Sequence, residues 1–201
     1  MRILRDIENR MAEAVTALSQ GEVVAYPAET LYGLGVDPLL EHAIDRLFEV
    51  KGRPESNPIP VIVADEDQML ALVNETSLAA RKLIDRFWPG PLSLVLPKAP
   101  IVPDRLTAGR PDICVRCPAS SIARALCARY GRGITSTSAN RSGEFPVRKL
   151  DDLNLKGVAI AIDAGELDPG RPSTIYDVRS GEVLREGEVG ADAIQECLSE
   201  L

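Results

Sequence analysis

Two cations flank a glycine in Lys51-Gly52-Arg53-Pro54, and Asn57-Pro58 follows closely. Lysine supplies a point charge and arginine a planar fork, and both suit phosphate oxygens. A plain helix end, where one cation complements the dipole, is the bland alternative. A second cluster, Thr135-Ser136-Thr137-Ser138-Ala139-Asn140-Arg141-Ser142-Gly143, crowds hydroxyls and an asparagine after an apolar run. Hydroxyls and backbone amides at a strand end suit phosphate or ribose, unless they only build a Ser/Thr turn. A third group joins Arg116 with Ser173-Thr174 and Arg185, and each arginine closes an apolar run. A cation there needs a partner, either an internal carboxylate or a shared anionic ligand. The fourth place, from Tyr26 to Gly35, has small residues and glycines that let a ligand approach the backbone, or else form a tight turn.

Several familiar chemistries lack their residues. His42 is the only histidine, so neither a Ser-His-Asp triad nor a histidine metal site is expected. Neither a GxSxG elbow nor a GxxxxGK[ST] loop occurs. Cys114 and Cys117 have CxxC spacing without a second pair, and strand residues three apart face opposite ways. They read as packed thiols. What remains is a set of cations, hydroxyls and amides with no nucleophile, which suits phosphoryl or nucleotidyl transfer by positioning and charge.

The elements that must carry these groups alternate between helical and strand periodicity, which predicts an α/β (α+β) domain. Helices are predicted over 9–19, 41–50, 65–72, 77–87, 121–130 and 191–198, and strands over 23–26, 59–63, 92–96, 113–116, 133–136, 158–162, 174–178 and 182–184. The stretch 31–36, broken by Gly33 and Gly35, implies close backbone approach, and the proline-rich stretch 97–111 reads as a surface loop. With no repeat or linker in 201 residues, one domain over 1–201 is expected.

Hydrophobic residues at 45% and charged residues at 26% fit a folded globular chain. No apolar run reaches the roughly 20 residues of a membrane helix, and the N-terminus does not read as a secretory signal. Free thiols agree with a cytoplasmic location. A net charge of −7 and 4% aromatics weigh against nucleic-acid binding as the main activity.

In their order along the chain, the segments Pro27-Ala28-Glu29-Thr30-Leu31-Tyr32-Gly33-Leu34-Gly35, Lys51-Gly52-Arg53-Pro54, Trp88-Pro89-Gly90-Pro91-Leu92, Val115-Arg116-Cys117-Pro118, Ser136-Thr137-Ser138-Ala139-Asn140 and Ser173-Thr174-Ile175 resemble the YrdC-like family of L-threonylcarbamoyl-AMP synthases. The resemblance covers residues 8–187, without a counterpart of the extra C-terminal domain of longer relatives. It implies a twisted mixed sheet flanked by helices with a large concave cleft. It also implies formation of threonylcarbamoyl-AMP and diphosphate from L-threonine, bicarbonate or CO2, and ATP, with Mg2+ held through the ATP phosphates. A tRNA threonylcarbamoyl transferase would then modify adenosine 37 of tRNA. By the same resemblance, Lys51, Arg53, Asn57, Ser138, Asn140 and Arg185 serve ATP, with Lys51 and Arg53 catalytic. Thr30, Arg116, Ser136 and Ser173 serve threonine. Two departures are Ala28, where a threonine is usual, and Ile62, where some members carry histidine. The alternatives are an RNA-binding module making weak RNA contact on the same fold, and a paralogue with a different acyl substrate.

Overall fold

The computed structural model describes residues 1–199. In chain order the elements are β1 (Arg2–Leu4), α1 (Ile7–Ser19), β2 (Val23–Pro27), β3 (Tyr32–Gly35), α2 (Glu41–Lys51), β4 (Val61–Ile62), α3 (Glu66–Leu70), α4 (Leu78–Phe87), β5 (Leu92–Pro97), α5 (Asp104–Thr107), β6 (Asp112–Arg116), α6 (Ser121–Tyr130), β7 (Ile134–Thr135), β8 (Thr137–Ser138), β9 (Val158–Ile162), β10 (Thr174–Asp177), β11 (Glu182–Arg185) and α7 (Ala191–Ser199). The expected mixed, helix-flanked architecture is borne out, with its strands divided between two sheets. One sheet runs β1-β9-β2-β3-β8 and the other β11-β10-β5-β6-β4-β7. Both mix parallel and antiparallel pairs.

Val23-Val24-Ala25-Tyr26-Pro27 is apolar throughout and every residue is buried, which is why β2 lies inside its sheet with both faces covered. Tyr26 explains the glycines of β3. Its ring lies across Gly33 and Gly35, and a Cβ on either would stand 3.0 Å from a ring carbon. The Tyr26 hydroxyl donates to the Thr135 carbonyl at 3.2 Å, so this ring also ties the first sheet to β7 of the second. Packing joins the sheets further. One apolar cluster takes Val23, Ala25, Tyr32 and Leu34 from the first sheet, and Leu92, Leu94 and Val115 from the second.

Side-chain caps mark the starts of α3, α4 and α6. Asp65 accepts from the Gln68 amide at 2.9 Å, Ser77 from Ala80 at 3.2 Å, and Ser120 from Ala123 at 3.3 Å. The helix predicted over 65–72 is therefore shorter, with Asp65 capping rather than joining it. Two other expectations are corrected. The stretch 97–111 is not a loop over the surface, because it contains α5 and buries Val102, Leu106 and Thr107. The N-terminal residues form β1, which the sequence pattern missed at three residues, paired in parallel with β9. No described helix is long and apolar enough to cross a membrane.

Candidate active site

The site begins with the way α2 ends. Its buried residues include Ile44, Leu47, Phe48 and Lys51, so Lys51 continues the apolar stripe at helical spacing. Gly52 then takes the left-handed conformation at φ 58°, and its amide and that of Arg53 return to the Glu49 and Phe48 carbonyls. The turn leaves Lys51 buried at the helix end, and Arg53 just beyond it donates to the Asn57 and Pro58 carbonyls at 3.3 and 2.9 Å. Only 2% of Lys51 is exposed. Its ammonium donates to the Ser138 carbonyl at 2.5 Å, the Asn140 carbonyl at 3.0 Å and Asn140 Oδ1 at 3.3 Å. Burial, with the Arg53 charge adding to it, pulls the Lys51 pKa down to about 8.

The loop that Lys51 grips is where the chain changes sheets. β7 pairs with β4 in one sheet and β8 with β3 in the other, and Ser136 is the crossing residue, its amide bonded to the Pro60 carbonyl at 2.7 Å. Beyond it, Ser138 Oγ donates to Asn140 Oδ1 at 2.5 Å. The Asn140 amide group donates to the Arg141 and Glu144 carbonyls at 2.8 and 2.7 Å. The hydroxyl cluster of the sequence is thus a seam between sheets.

A cavity of about 300 Å³ opens at this seam. One of its walls is a row across the second sheet. Arg185 of β11 pairs with Ile175 of β10, Ile175 with Ser93 of β5, and Arg116 of β6 with Ile62 of β4. Leu94 pairs with Val115, which sets Ser93 beside Arg116 and completes the row. All five residues line the cavity.

Hydrogen bonds hold the row in place. Arg185 donates to the Ser173 carbonyl at 2.7 and 3.1 Å and to Ser173 Oγ at 2.9 Å, while the Ser93 and Ser173 hydroxyls lie 3.0 Å apart. Burial lowers the pKa of both Arg185 and Arg53, which makes an added anion welcome to each. Arg116 is an ion-pair partner of Glu29, Nη1 to Oε1 at 2.9 Å, and the same oxygen accepts from the Ala119 amide at 2.6 Å.

Of the residues expected from sequence, Thr30, Arg53, Arg116, Ser136, Ser138, Ser173 and Arg185 line this one cavity. Lys51 and Asn140 stand behind Ser138 rather than in the lining. Asn57 is exposed outside it, and its carbonyl accepts from Arg53 Nε at 3.3 Å. Sequence reasoning assigned no role to Ser93, Glu29 or Arg171, which also line the cavity. Glu29 had a local signal, an acid inside a run of small residues. Ser93 had none, since its place depends on the pairing of distant strands. Ala28 and Ile62 both face the cavity, so the two sequence departures lie at the site itself. The cysteines are free thiols. Burial raises Cys114 to about 11 and Cys127 to about 12, as packed thiols require.

The cleft between two mixed sheets is lined by four arginines and a group of serines, a lining whose chemistry suits small anionic molecules. The chain belongs to the Sua5/YciO/YrdC family, whose model, described as telomere recombination, matches residues 16–187. It is 37% identical to the threonylcarbamoyl-AMP synthase of Yersinia enterocolitica, over 90% of this chain and 98% of that one. It is also 37% identical to the threonylcarbamoyl-AMP synthase of Pyrococcus abyssi, over its full length but only 62% of the longer relative. The crystal structure of P. abyssi Sua5 complexed with L-threonine superposes with a TM-score of 0.90 at 36% identity, covering 100% of this chain and 60% of that one.

Proposed function

We propose that this chain is a nucleotidyltransferase that forms L-threonylcarbamoyl-AMP and diphosphate from L-threonine, bicarbonate or CO2, and ATP. The observation that carries this reading is the cross-sheet row of Arg185, Ser93 and Arg116 facing the Ser136–Ser138 seam. It offers two anion-binding regions in one cavity, as a carboxylate and a polyphosphate together need. The near-complete match to a synthase of similar length supports the same conclusion.

In this reading the threonine amine attacks CO2, and the resulting carbamate oxygen attacks the α-phosphorus while diphosphate leaves. Arg116 holds the threonine carboxylate, with Thr30, Ser136 and Ser173 around the rest of the amino acid. Arg53, Arg185 and Ser138 face the phosphates. Lys51 and Asn140 shape the loop that carries Ser138, and Asn57 steadies Arg53 through its carbonyl. Arg53 offsets the charge that grows on the leaving diphosphate, with the Lys51 charge acting from behind Ser138. Magnesium would arrive with the nucleotide, bound through phosphate oxygens and water. The described residues hold no cluster of three His, Cys, Asp or Glu side chains that could bind a metal on their own. The labile product passes to a tRNA threonylcarbamoyl transferase in the cytoplasm.

The test is diphosphate release from ATP and bicarbonate with L-threonine, with L-serine, and with no amino acid. Release that depends on threonine is expected, and Lys51→Ala is expected to lower it by at least ~100-fold. Equal background release in all three mixtures would overturn the reading.

A further inference from the structure

The cavity lining holds four guanidinium groups, those of Arg53, Arg116, Arg171 and Arg185, but a single carboxylate, Glu29. A lining meant only for phosphates and carboxylates gains nothing from that acid. Glu29 also leaves one of its two oxygens unused, and Arg116 three of its five N–H donors. The pair is joined through Oε1 and Nη1, and the Ala119 amide and the Gly90 carbonyl bind these same two atoms. Among the described residues, Oε2 of Glu29 and the Nη2 and Nε groups of Arg116 have no hydrogen-bond partner.

A free carboxylate oxygen beside free guanidinium hydrogens forms a negative and a positive pole side by side. An α-amino acid presents the opposite pattern, an ammonium and a carboxylate on one carbon. We propose that Glu29 is the ammonium-recognising residue of the site, so that the Glu29–Arg116 pair selects a zwitterion rather than a simple acid. This rests on the amino-acid reading of the cavity and adds the group that reads the amine. Arg116 meets the substrate carboxylate with its free nitrogens. Glu29 Oε2 meets the ammonium.

The side chains of Glu29 and Arg116 are 27% and 12% exposed, so water screens the pair only in part. The alternative, a purely structural acid, explains the bonds of Oε1 and the counter-charge to Arg116, but leaves Oε2 without a use in the cavity lining.

The experiment measures binding of L-threonine and of 2,3-dihydroxybutyrate, its counterpart with hydroxyl in place of amine, by calorimetry. The wild-type chain and Glu29→Gln are compared, with ATP binding as the check on folding. Glutamine can keep the acceptor for Arg116 and Ala119 while removing the charge. The wild type is expected to prefer threonine, and Glu29→Gln to lose about 10- to 100-fold of that preference. If the glutamine variant does not fold, Glu29→Asp, which withdraws the charge by one methylene, is expected to lose several-fold. A folded variant with the wild-type preference would overturn the role of Glu29 and leave the synthase reading standing. A wild-type chain that binds no threonine would overturn both.

Discussion

At the residue scale, Lys51 is a cation held inside the protein. A lysine on the apolar stripe of a helix ends inside the protein, and its three donor bonds to the 138–140 loop are what make that place tolerable. Its lowered pKa has opposite consequences for activity and stability. The charge is present below about pH 8 and lost above it, so activity that needs the cation should fall as pH rises through 8. Stability moves the other way. Between about 8 and the usual 10.5 the unfolded chain binds more protons at this lysine than the folded one, so folding is favoured as pH increases. Denaturant melts of the wild type and Lys51→Met across this range should differ with that slope. The importance of Lys51 was legible in the sequence from the pair of cations flanking a glycine. Its position behind Ser138 was not, because the loop it holds lies 87 residues away.

At the scale of elements, the cavity depends on close backbone contacts that leave no space for a methyl group. A Cβ on Gly187 would fall 2.3 Å from the Pro172 carbonyl oxygen and 2.4 Å from the Thr174 amide nitrogen. Gly187→Ala is therefore expected to push the 172–174 strand entry aside, misplace Ser173 and Arg185, and reduce synthesis more than it reduces ATP-independent stability. Steady-state kinetics beside a thermal melt would measure this. Gly35→Ala presses on the Tyr26 ring, Ile134 and the Thr135 carbonyl together, and should destabilise by about 1–3 kcal/mol, checked by urea unfolding. The strands themselves were legible as apolar runs bounded by glycine and proline. Their order was not. The row from Arg185 to Ile62 comes from five strands spread over 124 residues, and only their pairing brings Ser93 into it. The short β1 and the buried α5 escaped because three or four residues carry too little periodicity to read.

At the scale of the whole molecule, the cluster shared by both sheets makes their folding interdependent. One unfolding transition is expected. ATP at 100 times its dissociation constant should raise stability by about 2.7 kcal/mol, seen as a shift of that single transition in calorimetry. Two separate transitions, only one of them responding to ATP, would contradict it. Charge is also divided at this scale. Four arginines against one glutamate give the cavity lining a net charge of +3, so the rest of the chain carries ten net negative charges. Salt confines this contrast to a Debye length of about 8 Å in physiological solution. A nucleotide small enough to enter the cleft meets chiefly the arginines, whereas a polynucleotide lies across the acidic exterior as well. In the synthase reading, that contrast would favour short anions over polymeric ones.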